Sequence, residues 1–241
     1  VALVERDQSL GGVCLNVGCI PSKALLHAAK VVSDVRDMEA HGLSFGEPDV
    51  DLTKLMDWKS RIVGQLTGGL TALAKQRKVE VVQGIATFVS PTAVKIASDG
   101  GDTTIEFSNA IVAVGSEPVV LPDFPNDDPR LIDSTGALEL SDIPARLLVV
   151  GGGIIGLEMA TVYMELGSEV TVVELLDEVM VGADRDMVKP LQRRLKKKLA
   201  AIYTGTRVTH IDANDDALLA HFDGKKAPDS APYDRILVAV G

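Results

Sequence analysis

Apolar positions along the chain change their period several times, and each change marks an element. Ala2-Leu3-Val4 is a short continuous apolar run ending in Glu5, the pattern of a strand buried on both faces. Ala24, Leu25, Ala28, Val31, Val32, Val35 and Met38 then recur at helical spacing until His41-Gly42 stops the pattern. A second helical stretch covers 51–78, with Leu55, Ile62, Leu66, Leu70 and Leu73 on one side; Gly68-Gly69 inside it predict a kink or a close packing contact. Between 79 and 114 the pattern shortens to strands broken by Gly84, Pro91 and Gly100-Gly101. It predicts an antiparallel meander closing on an apolar strand at 110–114. Residues 116–145 are rich in proline and aspartate and read as a linker.

A fresh unit begins at Arg146. An apolar strand at 147–150 runs into Gly151-Gly152-Gly153-Ile154-Ile155-Gly156, a helical pattern reaches Gly167, and a second strand at 169–174 ends in Glu174. That is one βαβ unit of the expected length, about 30 residues. A basic amphipathic helix follows at 184–199; Arg193, Arg194, Lys196, Lys197 and Lys198 gather near its end, where a cation complements the helix dipole. Short strands around Val208, Leu218 and Ile236 complete the unit.

Composition narrows the class. The 241 residues allow one large or two ordinary domains, and 46% hydrophobic with only 4% aromatic predicts aliphatic cores of the parallel α/β kind. A formal charge of −10 argues against a nucleic-acid partner or an anionic membrane surface. No apolar run approaches the ~20 residues of a membrane span, and no secretory signal opens the chain, so a cytoplasmic, reducing setting is expected. Both ends read as cut, because a parallel strand begins at Val1 and another stops at Gly241 without the neighbours such strands need.

The glycine run carries the first chemistry. Gly151-x-Gly153-x-x-Gly156 follows a strand, opens a helix, and precedes an acid at Glu174. Gly151 permits the tight turn, Gly153 lets a pyrophosphate approach the backbone, and Gly156 lets helix and strand pack closely. The helix N-terminus offers free N–H groups to phosphate. A carboxylate at Glu174 accepts hydrogen bonds from a ribose 2′-hydroxyl and repels a 2′-phosphate, so NAD is expected over NADP. The strand ending in Glu5 echoes the one ending in Glu174, which predicts two nucleotide-binding halves.

The second chemistry lies in Gly11-Gly12-Val13-Cys14-Leu15-Asn16-Val17-Gly18-Cys19-Ile20-Pro21-Ser22-Lys23, which holds both cysteines of the chain. A disulfide closing so short a loop restricts the unfolded chain little, so stability is a poor reason for it. Bonding brings the Cα atoms within about 7 Å, against roughly 16 Å in an extended chain, and Gly18 supplies the freedom to coil. Pro21 suits the first turn of the following helix, whose N-terminus favours a thiolate. The pair therefore reads as redox-active. Lys23 falls one helical turn beyond Cys19, so both can face one ligand. The four histidines, His27, His41, His210 and His221, show no metal-ligand spacing, and no metal site is expected.

The whole run resembles the active-site signature of the flavin-dependent pyridine nucleotide-disulfide oxidoreductases, and within them the bacterial dihydrolipoamide dehydrogenase branch. Leu66-Thr67-Gly68-Gly69-Leu70 extends the resemblance, which covers the chain to Gly241. It implies an α/β fold of two Rossmann-like three-layer nucleotide-binding domains, for FAD and NAD, the first incomplete, with an antiparallel β-meander and without the C-terminal interface domain. Residues 1–118 would be a partial FAD-binding domain carrying the redox disulfide, 119–145 a linker, and 146–241 the NAD-binding domain. The resemblance implies that Cys14 exchanges with dihydrolipoamide, that Cys19 sits against the flavin, and that Lys23 lies near the flavin and pairs with Glu158. FAD contacts carry over to Glu5, Gly11, Gly12, Cys14, Lys23, Gly84 and Val114-Gly115-Ser116. At that last place the family usually has a threonine where Val114 stands. NAD contacts carry over to Gly151, Gly152, Gly153, Ile154, Ile155, Gly156, Glu158, Glu174, Val208 and Gly241.

The implied partners are the lipoyl domains of the acyltransferase component of 2-oxo acid dehydrogenase complexes, together with a second copy as a homodimer. The implied catalytic base is a histidine of the interface domain, so the chain as given is expected to be inactive alone. Three alternatives share parts of this pattern. A glutathione or mercuric reductase would have the cysteine run but usually basic residues near Glu174. A non-catalytic NAD-binding fragment would need only 146–241, and a thiol-based redox sensor only the cysteine pair.

Overall fold

The computed structural model describes residues 1–240. They fall into two compact units, one of Val1–Pro21 with Ser60–Ser116, the other of Ser22–Lys59 with the chain from Glu117 on. In the first unit, β1 (Ala2–Glu5) pairs in parallel with β2 (Glu80–Gln83), from Ala2↔Glu80 to Glu5↔Gln83. The expected meander is present as β3 (Ile85–Ser90), β4 (Ala93–Ala97) and β5 (Thr103–Glu106), antiparallel throughout, with Ile96 fully buried. The short helix α1 (Gly12–Val17) follows β1.

Two longer helices, α2 (Cys19–Asp37) and α3 (Leu52–Gln76), supply residues to both units. The buried residues of α2 include Ser22, Ala24, Leu25, Ala29 and Ser33, while Val31 faces outward. Ala24 and Leu25 of the expected stripe are buried and Ala28, Val32 and Val35 half-buried, so the buried face is the predicted one extended to Ser22, Ala29 and Ser33 and turned away from Val31. Gly68 and Gly69 neither break α3 nor mark a contact, since a Cβ at either position would meet nothing within 4 Å.

Two sequence expectations need correction. Residues 110–114 form no strand, and Ile111 is 95% and Val114 86% exposed. An apolar segment becomes a strand only when a neighbour completes its ladder, and among the described residues none pairs with this one. Residues 119–145 are not a bare linker either. They contain β6 (Leu131–Ile132) and α4 (Ser134–Glu139), whose Ala137 and Leu138 are buried. Asp133 is the N-cap of α4, its side chain accepting from the Gly136 N–H at 2.8 Å. Aspartate marked a helix start there, not solvent-exposed coil.

The second unit is built on a five-stranded sheet in the order β6, β13 (Arg235–Val238), β7 (Arg146–Val150), β8 (Glu169–Val173), β9 (Ala201–Tyr203), with every pairing parallel. Successive residues of β7 divide between two cores. Leu147 and Val149 pack with Met159, Val162 and Tyr163 of α5 (Ile154–Glu165) and with Leu25 and Ala29 of α2. Leu148 and Val150 pack on a three-stranded antiparallel sheet of β10 (Arg207–Ala213), β11 (Leu218–Asp223) and β12 (Ser230–Tyr233), through Val208, Leu218, Ala220 and Phe222. The unit is therefore three layers, with helices on one face and an antiparallel sheet on the other. Helix α6 (Arg185–Lys198) packs Val188 and Leu195 into the helical side. Its terminal Lys198 donates to Glu165 and to buried Ser33, both at 2.7 Å, so this end of the basic helix is held by side-chain partners.

One ion pair closes the start of β7. Asp234 accepts from the Arg146 backbone N–H and from its guanidinium, both at 2.7 Å, and its carboxyl is held below the ordinary 3.8, chiefly by the Arg146 side-chain hydrogen bond. A lowered carboxylate contributes stability above its unfolded pKa and loses it as pH falls through the folded value. The pair is about one-third exposed, so screening discounts it. Asp234→Asn is expected to cost about 1 kcal/mol at pH 7, with the difference from wild type narrowing below about pH 4. Urea unfolding at several pH values reads this.

Candidate functional site

In the first unit the chain is bent around the cysteines by its glycines. Gly11, the N-cap of α1, has φ 117°, and Gly18 closes that helix. A Cβ on Gly18 would lie 2.8 Å from the Val13 carbonyl oxygen and 3.1 Å from the Cys14 Cα, so only glycine allows the chain to fold back there. The next residue, Cys19, opens α2, with Pro21 in its first turn. Both cysteines are exposed thiols with no disulfide between them. Asn16 secures the loop by donating to the Gly12 carbonyl at 3.0 Å. At the end of β1, Glu5 accepts from the Asp7 N–H at 3.1 Å, and its carbonyl accepts from Gly84 at 2.9 Å. Gly84 has φ 148°, and a Cβ there would fall 2.5 Å from the Ala97 carbonyl. Val114, Gly115 and Ser116 are exposed, with Gly115 at φ 75°.

In the second unit the glycine loop joins β7 to α5. Gly151 has φ 114°, and a Cβ on it would meet the Ala239 carbonyl oxygen at 2.3 Å. One on Gly156 would meet the Gly151 carbonyl oxygen at 2.1 Å. Gly153, the N-cap of α5, differs: a Cβ there would meet nothing within 4 Å, and no side chain caps the helix. The first two glycines are demanded by the protein itself. The third leaves an open approach to uncapped N–H groups, which is what a pyrophosphate requires.

Glu174 ends β8 beside this loop. One carboxylate oxygen accepts from the Gly152 N–H at 2.7 Å and the other from the Leu176 N–H at 2.8 Å. These bonds fix the carboxylate and leave each oxygen a further lone pair for a ribose hydroxyl. Ile154 and Ile155 are exposed at the start of α5. Glu158, one turn on, pairs with Lys23 of α2 at 2.5 Å, its side chain 21% exposed. Val208, in β10, is buried in the core against the sheet. Gly241 lies outside the described residues.

The profile described as pyridine nucleotide-disulphide oxidoreductase matches residues 1–241. The chain belongs to this family. It is 52% identical over 240 residues to the dihydrolipoyl dehydrogenase of Vibrio parahaemolyticus, and 50% identical to that of Haemophilus influenzae, in each case covering 99% of this chain and 50% of the relative. The chain thus spans about half the length of the curated relatives it matches. Among solved structures, the HOCl-induced flavoprotein disulfide reductase RclA from Escherichia coli superposes over 100% of this chain and 51% of its own, with a TM-score of 0.81 at 27% identity. LpdA from Mycobacterium tuberculosis gives a TM-score of 0.86 at 22% identity, again over 100% of this chain and 52% of that one, a likeness of fold.

Sequence spacing failed to find one cluster. His210, Asp212 and His221 bring their ligand atoms within 4.8 Å of one another on the β10–β11 hairpin. His210 and His221 stand 11 residues apart, a spacing without meaning until β10 and β11 pair. No helix of the described residues is long and apolar enough to cross a membrane.

Proposed function

We propose that the protein is a dihydrolipoyl dehydrogenase, oxidising dihydrolipoamide on the lipoyl domains of a 2-oxo acid dehydrogenase complex and reducing NAD. The observation that carries the reading is the complete Cys14–Lys23 run, from α1 into the first turns of α2, in a chain half identical to a dihydrolipoyl dehydrogenase over 99% of its length. A cytoplasmic homodimer is the expected working form.

The residues divide the work. Cys14 would be the interchange sulfur, as the resemblance implies: a substrate thiolate attacks it in the Cys14–Cys19 disulfide, Cys19 leaves as thiolate, and the second substrate thiol then attacks the substrate sulfur of the mixed disulfide, releasing cyclic disulfide and the Cys14 thiol. Cys19, at the α2 N-terminus, gains the helix dipole's stabilisation of its anion. Glu158 orients the Lys23 ammonium. Glu5, Gly11, Gly12, Cys14, Lys23, Gly84, Val114, Gly115 and Ser116 would hold FAD, which when bound relays two electrons between the dithiol and NAD. Gly151 to Gly156, Glu158, Glu174 and the backbone of Val208 would hold NAD, and the open Gly153 N-cap fits it.

The test is turnover by the protein from its full reading frame. Dihydrolipoamide with NAD is expected to exceed glutathione disulfide with NADPH by at least about 10²-fold in kcat/KM, some 2.7 kcal/mol; the reverse order would overturn the reading. Glu174→Arg is expected to move the NAD-to-NADP preference toward NADP by about 1–3 kcal/mol, the range of a charged hydrogen bond. An unchanged ratio would remove Glu174 from the site.

A further inference from the structure

We propose that His210, Asp212 and His221 form a binding site for a divalent transition ion of the zinc class, on the outer face of the antiparallel sheet and built from residues of neither the glycine loop nor the cysteine run. The placement is a consequence of strand register. His210 and His221 are directly opposed across the β10–β11 pair, and Asp212 lies two residues further along the same face of β10. A β-bulge between Val208 and His210 interrupts the alternation. Val208 and Ile211 remain in the core, and both Thr209 and His210 face outward. Without the extra residue, His210 would exchange places with a core position.

The donors are already close. His221 Nε2 lies 2.8 Å from Asp212 Oδ2, and the two imidazoles stack with centroids 3.9 Å apart and planes 10° from parallel. Ligands at about 2.0–2.1 Å from a zinc ion stand roughly 2.9–3.4 Å from one another. The His221–Asp212 pair, at 2.8 Å, lies just short of that spacing, and all three donors stand within 4.8 Å of one another, a separation that rotation of the exposed His210 and Asp212 side chains closes.

The hydrogen bonds also select the free nitrogens. The Thr209 hydroxyl lies 3.2 Å from both the His221 carbonyl and His210 Nδ1; when it donates to the carbonyl, the Nδ1–H tautomer of His210 donates to it in turn. That leaves His210 Nε2 with its lone pair, and gives the ring the outer partner that metal-bound histidines usually have. At His221 the ion takes the place of the proton between Nε2 and the Asp212 carboxylate, which accepts only. Two imidazoles and one carboxylate favour zinc, nickel or copper over magnesium or calcium. Water completes the coordination, because the site is open.

The test uses the full chain with Cys14 and Cys19 carboxamidomethylated, so that the thiols do not compete, and Zn²⁺ as the probe. Competition against a chromophoric chelator should give one Zn²⁺ per chain. His210→Ala, His221→Ala and Asp212→Asn should each weaken it by roughly 10–100-fold, the usual loss for a disturbed metal shell. Imidazole resonances of His210 and His221 should shift on titration while those of His27 and His41 stay. Absence of saturable binding, affinity within twofold of wild type in His210→Ala and Asp212→Asn, or shifts confined to His27 and His41 would each overturn the proposal.

Discussion

Gly156→Ala is expected to abolish NADH binding and to cost several kcal/mol of stability, whereas Gly153→Ala should weaken binding with almost no loss of stability. The new Cβ at Gly156 would sit 2.1 Å from the Gly151 carbonyl oxygen, a backbone atom that cannot swing aside. Gly151 itself is pinned, because its N–H donates to Val173 and its own Cβ position is closed by the Ala239 carbonyl. Relief therefore means parting α5 from β7, at the core of Leu147, Val149, Leu157 and Ala160. Overpacking of this kind costs about 1–3 kcal/mol and more where backbone must move. Gly153 is extended at φ −78° with open space beyond it, so alanine fits the free protein and obstructs only a ligand. Thermal unfolding and NADH fluorescence titration on the two variants separate these effects. Equal stability losses would mean that the open side of Gly153 is not the ligand's side.

Cys14→Ser and Cys19→Ser are each expected to reduce dihydrolipoamide turnover on the order of 10³-fold or more, because a hydroxyl forms no disulfide and the exchange has no other acceptor. Stability should change by less than about 0.5 kcal/mol, since both positions are exposed. NADH binding at the glycine loop should be unaltered. A variant that loses turnover and folding together would indicate a structural part for the loop instead.

The second unit was more legible in sequence than the first, for physical reasons. The strands at 147–150 and 170–173 are buried on both faces, so their continuous apolar runs left little choice of element. Gly151 and Gly156 between them are fixed by carbonyl oxygens 2.3 and 2.1 Å from where a Cβ would stand, so pattern and geometry coincide there. Residues 110–114 show the converse: an equally apolar run carries no strand where no ladder receives it. Asp133 misled because a cap and a linker share composition. Helix α2 buries Ser22 and Ser33 beside Ala24, Leu25 and Ala29 and leaves Val31 exposed, a choice of face that apolar period alone did not fix. The cluster of His210, Asp212 and His221 was invisible for a further reason, as it depends on hairpin register and on a bulge that no local pattern announces.

The most direct measurement follows the thiols. Protein from the full reading frame, loaded with FAD and oxidised, is treated anaerobically with NADH, alkylated, and mapped by mass spectrometry. The account predicts that NADH exposes two thiols per chain, at Cys14 and Cys19, that Cys14 alkylates first, and that added lipoamide closes them again. Cysteines that alkylate equally with and without NADH, after oxidation and with FAD bound, would contradict it.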